Sequence, residues 1–347
     1  MSGRTRALLL GAAAGGALAA VAVARAHRTR FTGASVLITG GSRGLGLELA
    51  RVFAAEGARL TLIARDGEEL RRAARALSDD GADVQTLECD LRDPERIRAV
   101  METIEQERGG VDVLVNNAGV IQVGPAPLMD VEDFEEAFDV HLWGPLHLVR
   151  AVTPGMARRG RGHIVNISSI GGLVAIPHLL PYVASKFALT GFSDGLHTEL
   201  APLGIRVTTV CPGLMRTGSH LHAQFKGQHG KEYGWFSTSA SAPLLAMDAA
   251  RAARKIVDAA RSGRARLVLT PQARLLDVLG ALAPGAVAFA LRQAASLLPD
   301  ARGVEARERR QGTEARADSP VPSWVTHLGD EAADRNNQRP HVRPAGV

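Results

Sequence analysis

The stretch Val36-Leu-Ile-Thr-Gly-Gly-Ser-Arg-Gly-Leu-Gly46 decides the fold. Its first half is a short apolar run with β-branched residues, which reads as a strand buried on both faces. Its second half sets Gly40, Gly44 and Gly46 in a Gly-x3-Gly-x-Gly turn, at the start of a helical pattern over Leu45–Glu56. Glycine permits the sharp turn and lets phosphates approach the backbone, while the helix N-terminus offers free N–H groups to an anion. A glycine turn after a buried strand points to a dinucleotide. By itself it does not name a reaction.

Outward from this turn, apolar runs alternate with helical stretches. Ser35–Thr39, Leu60–Ala64, Val84–Leu87, Val111–Val115, His163–Ile167, Ile205–Val210 and Arg266–Leu269 read as strands. Leu45–Glu56, Glu68–Leu77, Pro94–Glu107, Val131–Arg158, Tyr182–Leu200 and Asp248–Ser262 read as helices. Regular strand–helix alternation predicts an α/β chain: a three-layer, doubly wound Rossmann fold around a mainly seven-stranded parallel sheet.

Composition narrows the function classes. The 347 residues are 46% hydrophobic and 22% charged, which excludes wholesale disorder. Net charge is only +5, and no lysine-rich run with interleaved aromatics is present, so nucleic acid is not an expected partner. Cys89 and Cys211 lie far apart inside apolar stretches, without metal-type spacing, and read as small buried side chains.

The ends differ from the middle. Residues 7–24 form an uncharged Leu/Ala/Gly/Val run between arginines; as a helix this would span about 27 Å, close to a bilayer's hydrocarbon thickness. An uncleaved anchor, a cleaved signal peptide and a flexible or mis-started segment compete here. The basic cluster after the run and the dinucleotide-type glycine turn downstream favour a cytoplasmic enzyme held on the membrane. Residues 1–30 are thus taken as a hydrophobic segment and 31–270 as the catalytic domain. Residues 271–299 read as a helical extension interrupted at Pro284, which could cap the substrate, pair subunits or lie on a membrane. Residues 300–347, polar and proline-containing, read as a disordered tail.

Two arginines bear on the cofactor. Arg43 lies in the glycine turn and Arg65 ends the second strand, where an enzyme using NAD usually carries a carboxylate for the ribose. Guanidinium groups at both places suit the 2′-phosphate of NADP and favour it over NAD, with Asp66 the counter-indication.

Together, Thr39-Gly-Gly-Ser-Arg-Gly-Leu-Gly46, Asn116-Asn-Ala-Gly119, Ser169, Tyr182-Val-Ala-Ser-Lys186 and Pro212-Gly213 make the chain resemble the short-chain dehydrogenase/reductase family over about residues 34–270. The resemblance implies that Gly40, Ser42, Arg43, Gly44, Leu45 and Gly46 cradle the dinucleotide. It further implies that Asp90 and Leu91 meet the adenine, that Asn117, Ala118 and Gly119 lie under the cofactor, and that Pro212, Gly213 and Thr217 hold the nicotinamide side. Homo-oligomers are usual in that family.

The residues themselves support the chemistry. Reducing a carbonyl needs a hydride and a proton. Tyr182 and Lys186, at i and i+4, share a helix face, where an ammonium would lower the tyrosine's pKa toward neutrality. Ser169, thirteen residues earlier and at a strand's end, can polarise the substrate oxygen, while Ser168 reads as backbone support. Family members usually carry an asparagine where this chain has His141; an imidazole there could relay protons to Lys186 or merely pack.

The function expected is therefore an NADP(H)-dependent carbonyl reductase or alcohol dehydrogenase. Leu214, Met215, Leu221, Phe225, Tyr233, Trp235 and Phe236 either line an apolar substrate pocket or pack within their own lid. With the anchor, they suggest a lipophilic substrate. The competing class is an NADP-binding sensor or scaffold. Epimerisation or dehydration is a third possibility, but the extra substrate domain of sugar-nucleotide epimerases is missing.

Overall fold

The computed structural model describes residues 31–243, 245–301 and 307–339. The run 7–24, and the anchor reading that rests on it, lies outside them. Among the described residues no helix is long and apolar enough to cross a membrane.

Seven strands form one parallel sheet: Ser35–Thr39 (β1), Arg59–Ala64 (β2), Val84–Glu88 (β3), Val113–Asn116 (β4), Gly162–Ile167 (β5), Ile205–Cys211 (β6) and Arg266–Val268 (β7). Their order is β3-β2-β1-β4-β5-β6-β7, with Val36 opposite both Leu60 and Val113. Side chains alternate between the faces. Val36 and Ile38 pack with Leu47, Phe53 and Val257, whereas Leu37 packs with Ile97, Leu148 and Met156. Helices α1 (Gly44–Ala55), α2 (Gly67–Asp79) and α8 (Ala249–Arg261) cover the first face. The second is covered by α3 (Pro94–Arg108), α5 (Gly144–Arg159) and α6 (Leu180–Glu199). Burial from both sides is why the strands read as continuous apolar runs. Because β2 and β4 flank β1, the chain changes direction there and opens a crevice at the C-terminal ends of β1 and β4.

The sequence pattern predicts one helix over Val131–Arg158. The structure breaks it into α4 (Val131–Phe138), a π-helical turn at Asp139–Trp143, and α5. The wider turn is where His141 goes into the interior, with no exposed surface.

The C-terminal tail corrects the sequence reading. Residues 307–339 are folded, not disordered. Arg310–Gln311 pairs with Gln224–Phe225, which also pairs with Gln122–Val123, making a small second sheet. Gly312–Ala315 forms a short helix (α11), and Ser323–Arg335 (α12) lies against His229–Ser241 (α7). The charges that suggested solvation instead make ion pairs: Arg316 with Asp330 at 2.6 Å, and Arg309 with Glu136 at 2.8 Å. Small residues let the backbones meet. Gly218, at φ +82°, faces Ala333 so closely that a Cβ would sit 2.5 Å from the Ala333 Cα. A Cβ on Gly230 would fall 2.0 Å from the Asp318 carbonyl oxygen.

Between sheet and tail, Pro271–Leu282 (α9) and Pro284–Ala295 (α10) break at Pro284 as the sequence suggests. Of these two helices only Ala273 is buried; Leu275, Leu282 and Phe289 are 60%, 79% and 56% exposed.

Candidate active site

The crevice becomes a cleft of about 770 Å³ lined by most of the expected cofactor-binding residues together with Ser169, Tyr182 and Lys186. The turns after β1 and β4 are tied together. Thr39 Oγ1 accepts the backbone N–H groups of Asn117 and Ala118, each at 2.9 Å. Asn117 Nδ2 in turn donates to the carbonyls of Thr39 (2.9 Å) and Gly40 (3.2 Å). Glycine is required here: a Cβ on Gly46 would stand 2.1 Å from the Gly40 oxygen, and Gly40 itself has φ +62°. The result is a backbone cradle at the N-terminus of α1 of the kind that holds the pyrophosphate of a dinucleotide, with the Gly44 N–H donating to the Asn336 carbonyl at 2.9 Å.

Arg43, Arg65, Asp90 and Leu91, the residues expected toward the adenosine, all line the cleft. Asp66 also lines the cleft, with one carboxylate oxygen engaged in capping α2 by accepting the Glu69 N–H at 2.9 Å. Glu69 is the acidic group the sequence reading missed. It holds Arg43 at 2.5 Å and accepts from the Ser42 hydroxyl at 3.0 Å. Arg65 is exposed on the wall.

Ser169, Tyr182 and Lys186 line the same cleft. Ser169 Oγ accepts the Gly171 N–H at 3.0 Å, fixing the serine at the strand's end. Ser168 supports backbone, as expected: its hydroxyl donates to the Lys186 carbonyl at 3.1 Å and meets Thr190 Oγ1 at 2.7 Å. Lys186 Nζ donates to the Ile167 carbonyl at 2.8 Å and lies 5.7 Å from the centre of the Tyr182 ring. Burial lowers the lysine to about 7. Burial also raises Tyr182 above 10, with a hydrogen bond to Ser169 opposing the rise. The protein's own groups therefore do not depress the tyrosine, contrary to the simple ammonium–phenolate argument. Desolvation is the largest cause of the rise, and the Ser169 hydrogen bond only opposes it.

His141 does not line the cleft. Its Nε2 accepts the Val120 N–H at 3.1 Å, so Nδ1 carries the hydrogen and donates to Ser185 Oγ at 2.7 Å. Ser185 Oγ then donates to the Tyr182 carbonyl at 2.9 Å. Burial holds the imidazole well below its ordinary 6.5. A neutral ring with both nitrogens hydrogen-bonded braces the Tyr182 helix through Ser185.

Pro212, Gly213 and Thr217, the residues expected on the nicotinamide side, line the cleft. Val120, Ile121, Met215 and Ala223 line it too, with the polar Gln224 and Gln311. Most of the lid aromatics face elsewhere. Phe225, Tyr233 and Phe236 form a buried cluster with Val123 and Leu179, against which Trp235 packs. Leu221 is buried and Leu214 is exposed. Of that set only Met215 reaches the cleft. No sequence signal marked two further wall residues, Gln311 and Gln338, which come from the tail.

The chain matches the short chain dehydrogenase family over residues 34–225. It is 40% identical over 200 residues to a granaticin polyketide synthase putative ketoacyl reductase of Streptomyces violaceoruber, covering 56% of this chain and 74% of the relative. It is 35% identical over 257 residues to the mouse (Mus musculus) dehydrogenase/reductase SDR family member 7B, covering 73% and 78%. Among solved structures it is similar to the L-sorbose reductase of Gluconobacter frateurii complexed with NADPH and L-sorbose, with TM-score 0.63 and 29% identity over 70% of this chain and 97% of that one. A short-chain dehydrogenase of Streptomyces avermitilis gives TM-score 0.65 and 32% identity over 76% and 97%. With the doubly wound sheet, the glycine cradle and the Ser169–Tyr182–Lys186 wall, these matches make the chain a member of the short-chain dehydrogenase/reductase family, an NAD(P)-dependent oxidoreductase of CH–OH/C=O groups.

Proposed function

We propose that the chain is an NADP(H)-dependent reductase or dehydrogenase interconverting a lipophilic carbonyl and its secondary alcohol, with Tyr182 as acid/base. One observation carries this reading: Ser169, Tyr182 and Lys186 share a cleft with Arg43 and Arg65. When bound, the dinucleotide supplies or takes up the hydride. The Ser169 and Tyr182 hydroxyls hold the substrate oxygen, and Tyr182 gives or takes its proton. Lys186, brought to about 7 by burial, can change protonation in the working range and, when charged, favours the tyrosinate.

The preference for NADP rests on Arg43 and Arg65, and on Asp66 being used as a helix cap. Glu69, paired with Arg43, works against it, which leaves Arg65 the main 2′-phosphate partner. The lipophilic substrate no longer rests on the lid aromatics. It rests on the apolar floor of Val120, Ile121 and Met215, and on the exposed α9–α10 hairpin. That hairpin borders the site: Ala273 abuts Gly213, and Gly280 abuts Val174. An apolar surface of this kind suits a membrane face, in keeping with a cytoplasmic enzyme associated through residues 7–24, or a second copy of the chain. A relative named for ketoacyl reduction supports an acyl-type carbonyl. The sensor reading loses its one argument, since His141 is a satisfied structural histidine.

The test is turnover of residues 31–347 with NADPH and with NADH on a panel running from small polar aldehydes to long-chain and polycyclic ketones. Tyr182→Phe should lower kcat by about 10²–10⁴, the usual worth of acid–base catalysis, while leaving NADPH binding intact. An undiminished rate in that variant would remove the mechanism. Better turnover of small polar aldehydes than of long-chain ketones would remove the substrate class.

A further inference from the structure

The end of the folded tail crosses the outside of the dinucleotide cradle. After α12, the strap Asn336–Arg339 is pinned at both sides of the cleft. On the cofactor-turn side, the Asn336 carbonyl accepts the Gly44 N–H at 2.9 Å. Asn337, in the left-handed region at φ +56°, donates Nδ2 to the Ser42 carbonyl (2.8 Å) and the Glu69 carbonyl (3.0 Å) and accepts from Arg72 Nε at 2.9 Å. On the lid side, the Gln338 carbonyl meets His222 Nε2 at 2.8 Å, and Gln338 Nε2 donates to the Thr217 carbonyl at 2.9 Å.

Gln338 is the informative residue. It is 5% exposed, yet its side chain lines the cleft. Its carboxamide bridges Gly44 and Thr217, the two sides between which the pyrophosphate is expected; a Cβ on Gly44 would lie 2.9 Å from Gln338 Nε2. Only one of the two Nε2 hydrogens is used on Thr217, and Oε1 has no hydrogen-bond partner among the described residues. A buried carboxamide with a spare donor and a spare acceptor is costly unless a ligand satisfies it. A dinucleotide offers both counterparts: phosphate oxygens that accept and ribose hydroxyls that donate. The strap roofs the cleft without filling it, because the cleft keeps about 770 Å³ with Gly40, Leu45 and Lys186 still on its wall.

We infer that the strap Asn336–Arg339 is the outer wall of the dinucleotide site and that Gln338 touches the cofactor, so tail docking and dinucleotide binding strengthen each other. By linkage the effect runs both ways: the bound dinucleotide holds the tail down, and the tail slows its release. The inference rests on the dinucleotide reading of the glycine cradle and goes beyond it, since no family motif includes these residues.

The experiment measures NADPH dissociation constants by fluorescence for the full chain, for Gln338→Ala, for Gln338→Glu and for a chain ending at Arg335. Tail cleavage by protease is followed in parallel with and without NADPH. Gln338→Ala should weaken binding about 10-fold, the lower end for a hydrogen bond to a charged group. Gln338→Glu should weaken it further, with the extra loss shrinking as salt rises. Truncation should cost at least as much as Gln338→Ala, and NADPH should protect the tail in the unaltered chain. Unchanged or tighter binding in Gln338→Ala overturns the inference, the tighter result meaning that the strap plugs the cradle. Should the unaltered chain bind neither NADPH nor NADH, the dinucleotide reading itself fails and the strap falls with it.

Discussion

Replacing His141 by leucine separates a proton relay from a structural brace. The ring is fully buried and makes two hydrogen bonds, one from Val120 N–H and one to Ser185 Oγ. Leucine fills much of the volume and makes neither bond. Stranding the Val120 N–H costs about 1–3 kcal/mol, and losing the bond to Ser185 about 1 kcal/mol more. The sum, roughly 2–4 kcal/mol, corresponds to a melting temperature lower by about 5–12 °C for a domain of this size. Because Ser185 also holds the Tyr182 carbonyl, a double-mutant cycle with Ser185→Ala should be non-additive by about 0.5–3 kcal/mol. Stability against pH gives an independent check. The buried imidazole has its pKa lowered well below 6.5, so the unfolded chain binds that proton more readily. The unaltered protein therefore loses stability as pH falls from 6.5 toward the folded-state value, and His141→Leu should lack that part of the slope. In kinetics, kcat should fall while the ionisation near 7, assigned to Lys186, stays within about half a unit. An apparent pKa moved by a full unit or more, in a variant whose melting temperature is unchanged, would show that the imidazole does pass protons and would refute the brace.

Three further outcomes follow from the same geometry. Lys186 is depressed from 10.5 to about 7 by burial, so relative to Lys186→Met the unaltered protein should gain stability as pH rises across that window. At 1.36 kcal/mol per unit the gain is on the order of 3–4 kcal/mol, read from urea midpoints at pH 7 and 10. Arg65→Ala should weaken NADPH binding about 10-fold or more and leave NADH binding nearly unchanged, whereas Arg43→Ala, which also frees Glu69, should have the smaller effect; calorimetry with both dinucleotides decides. Gly218→Val adds a side chain where φ is +82° and Ala333 lies 2.5 Å from the Cβ position, so it should raise hydrogen exchange throughout α12 while β1–β6 stay protected.

The sheet and the cleft were legible because their signals are local. A strand buried on both faces must be apolar along its length, and a backbone that closes on itself must be glycine, as at Gly46 against the Gly40 oxygen. Tyr182 and Lys186 were legible because a helix fixes what i and i+4 share. What stayed hidden depends on which groups meet across long separations. Asp66 stood only as a counter-indication to NADP, with no sign that its carboxylate would cap α2, and Glu69, three residues on, gave no hint that it would take Arg43. The lid aromatics could not be sorted into wall or core from their own spacing. Phe225 lies in a strand and Tyr233 in a helix, and which side of each is buried depends on Val123 and Leu179, far away in the chain.

The tail shows why composition misleads most where a segment folds on a partner already in place. Disorder is inferred from charge and proline because such a segment cannot bury enough apolar surface alone. This segment buries little of its own: Ala315, Ala332 and Ala333 are its fully buried apolar side chains. The rest of its stability comes from the surface it lands on. Gly218 and Gly230 lie in the lid, more than eighty residues before the atoms they make room for. Glu136, which holds Arg309, lies on α4. A window of sequence therefore sees charges without their partners and glycines without the backbone they admit. The same separation explains Gln338. It is an unremarkable polar residue in a polar stretch until α12 places it between Gly44 and Thr217, where a carboxamide with two unused hydrogen-bonding positions faces the cradle that Val36–Gly46 marks.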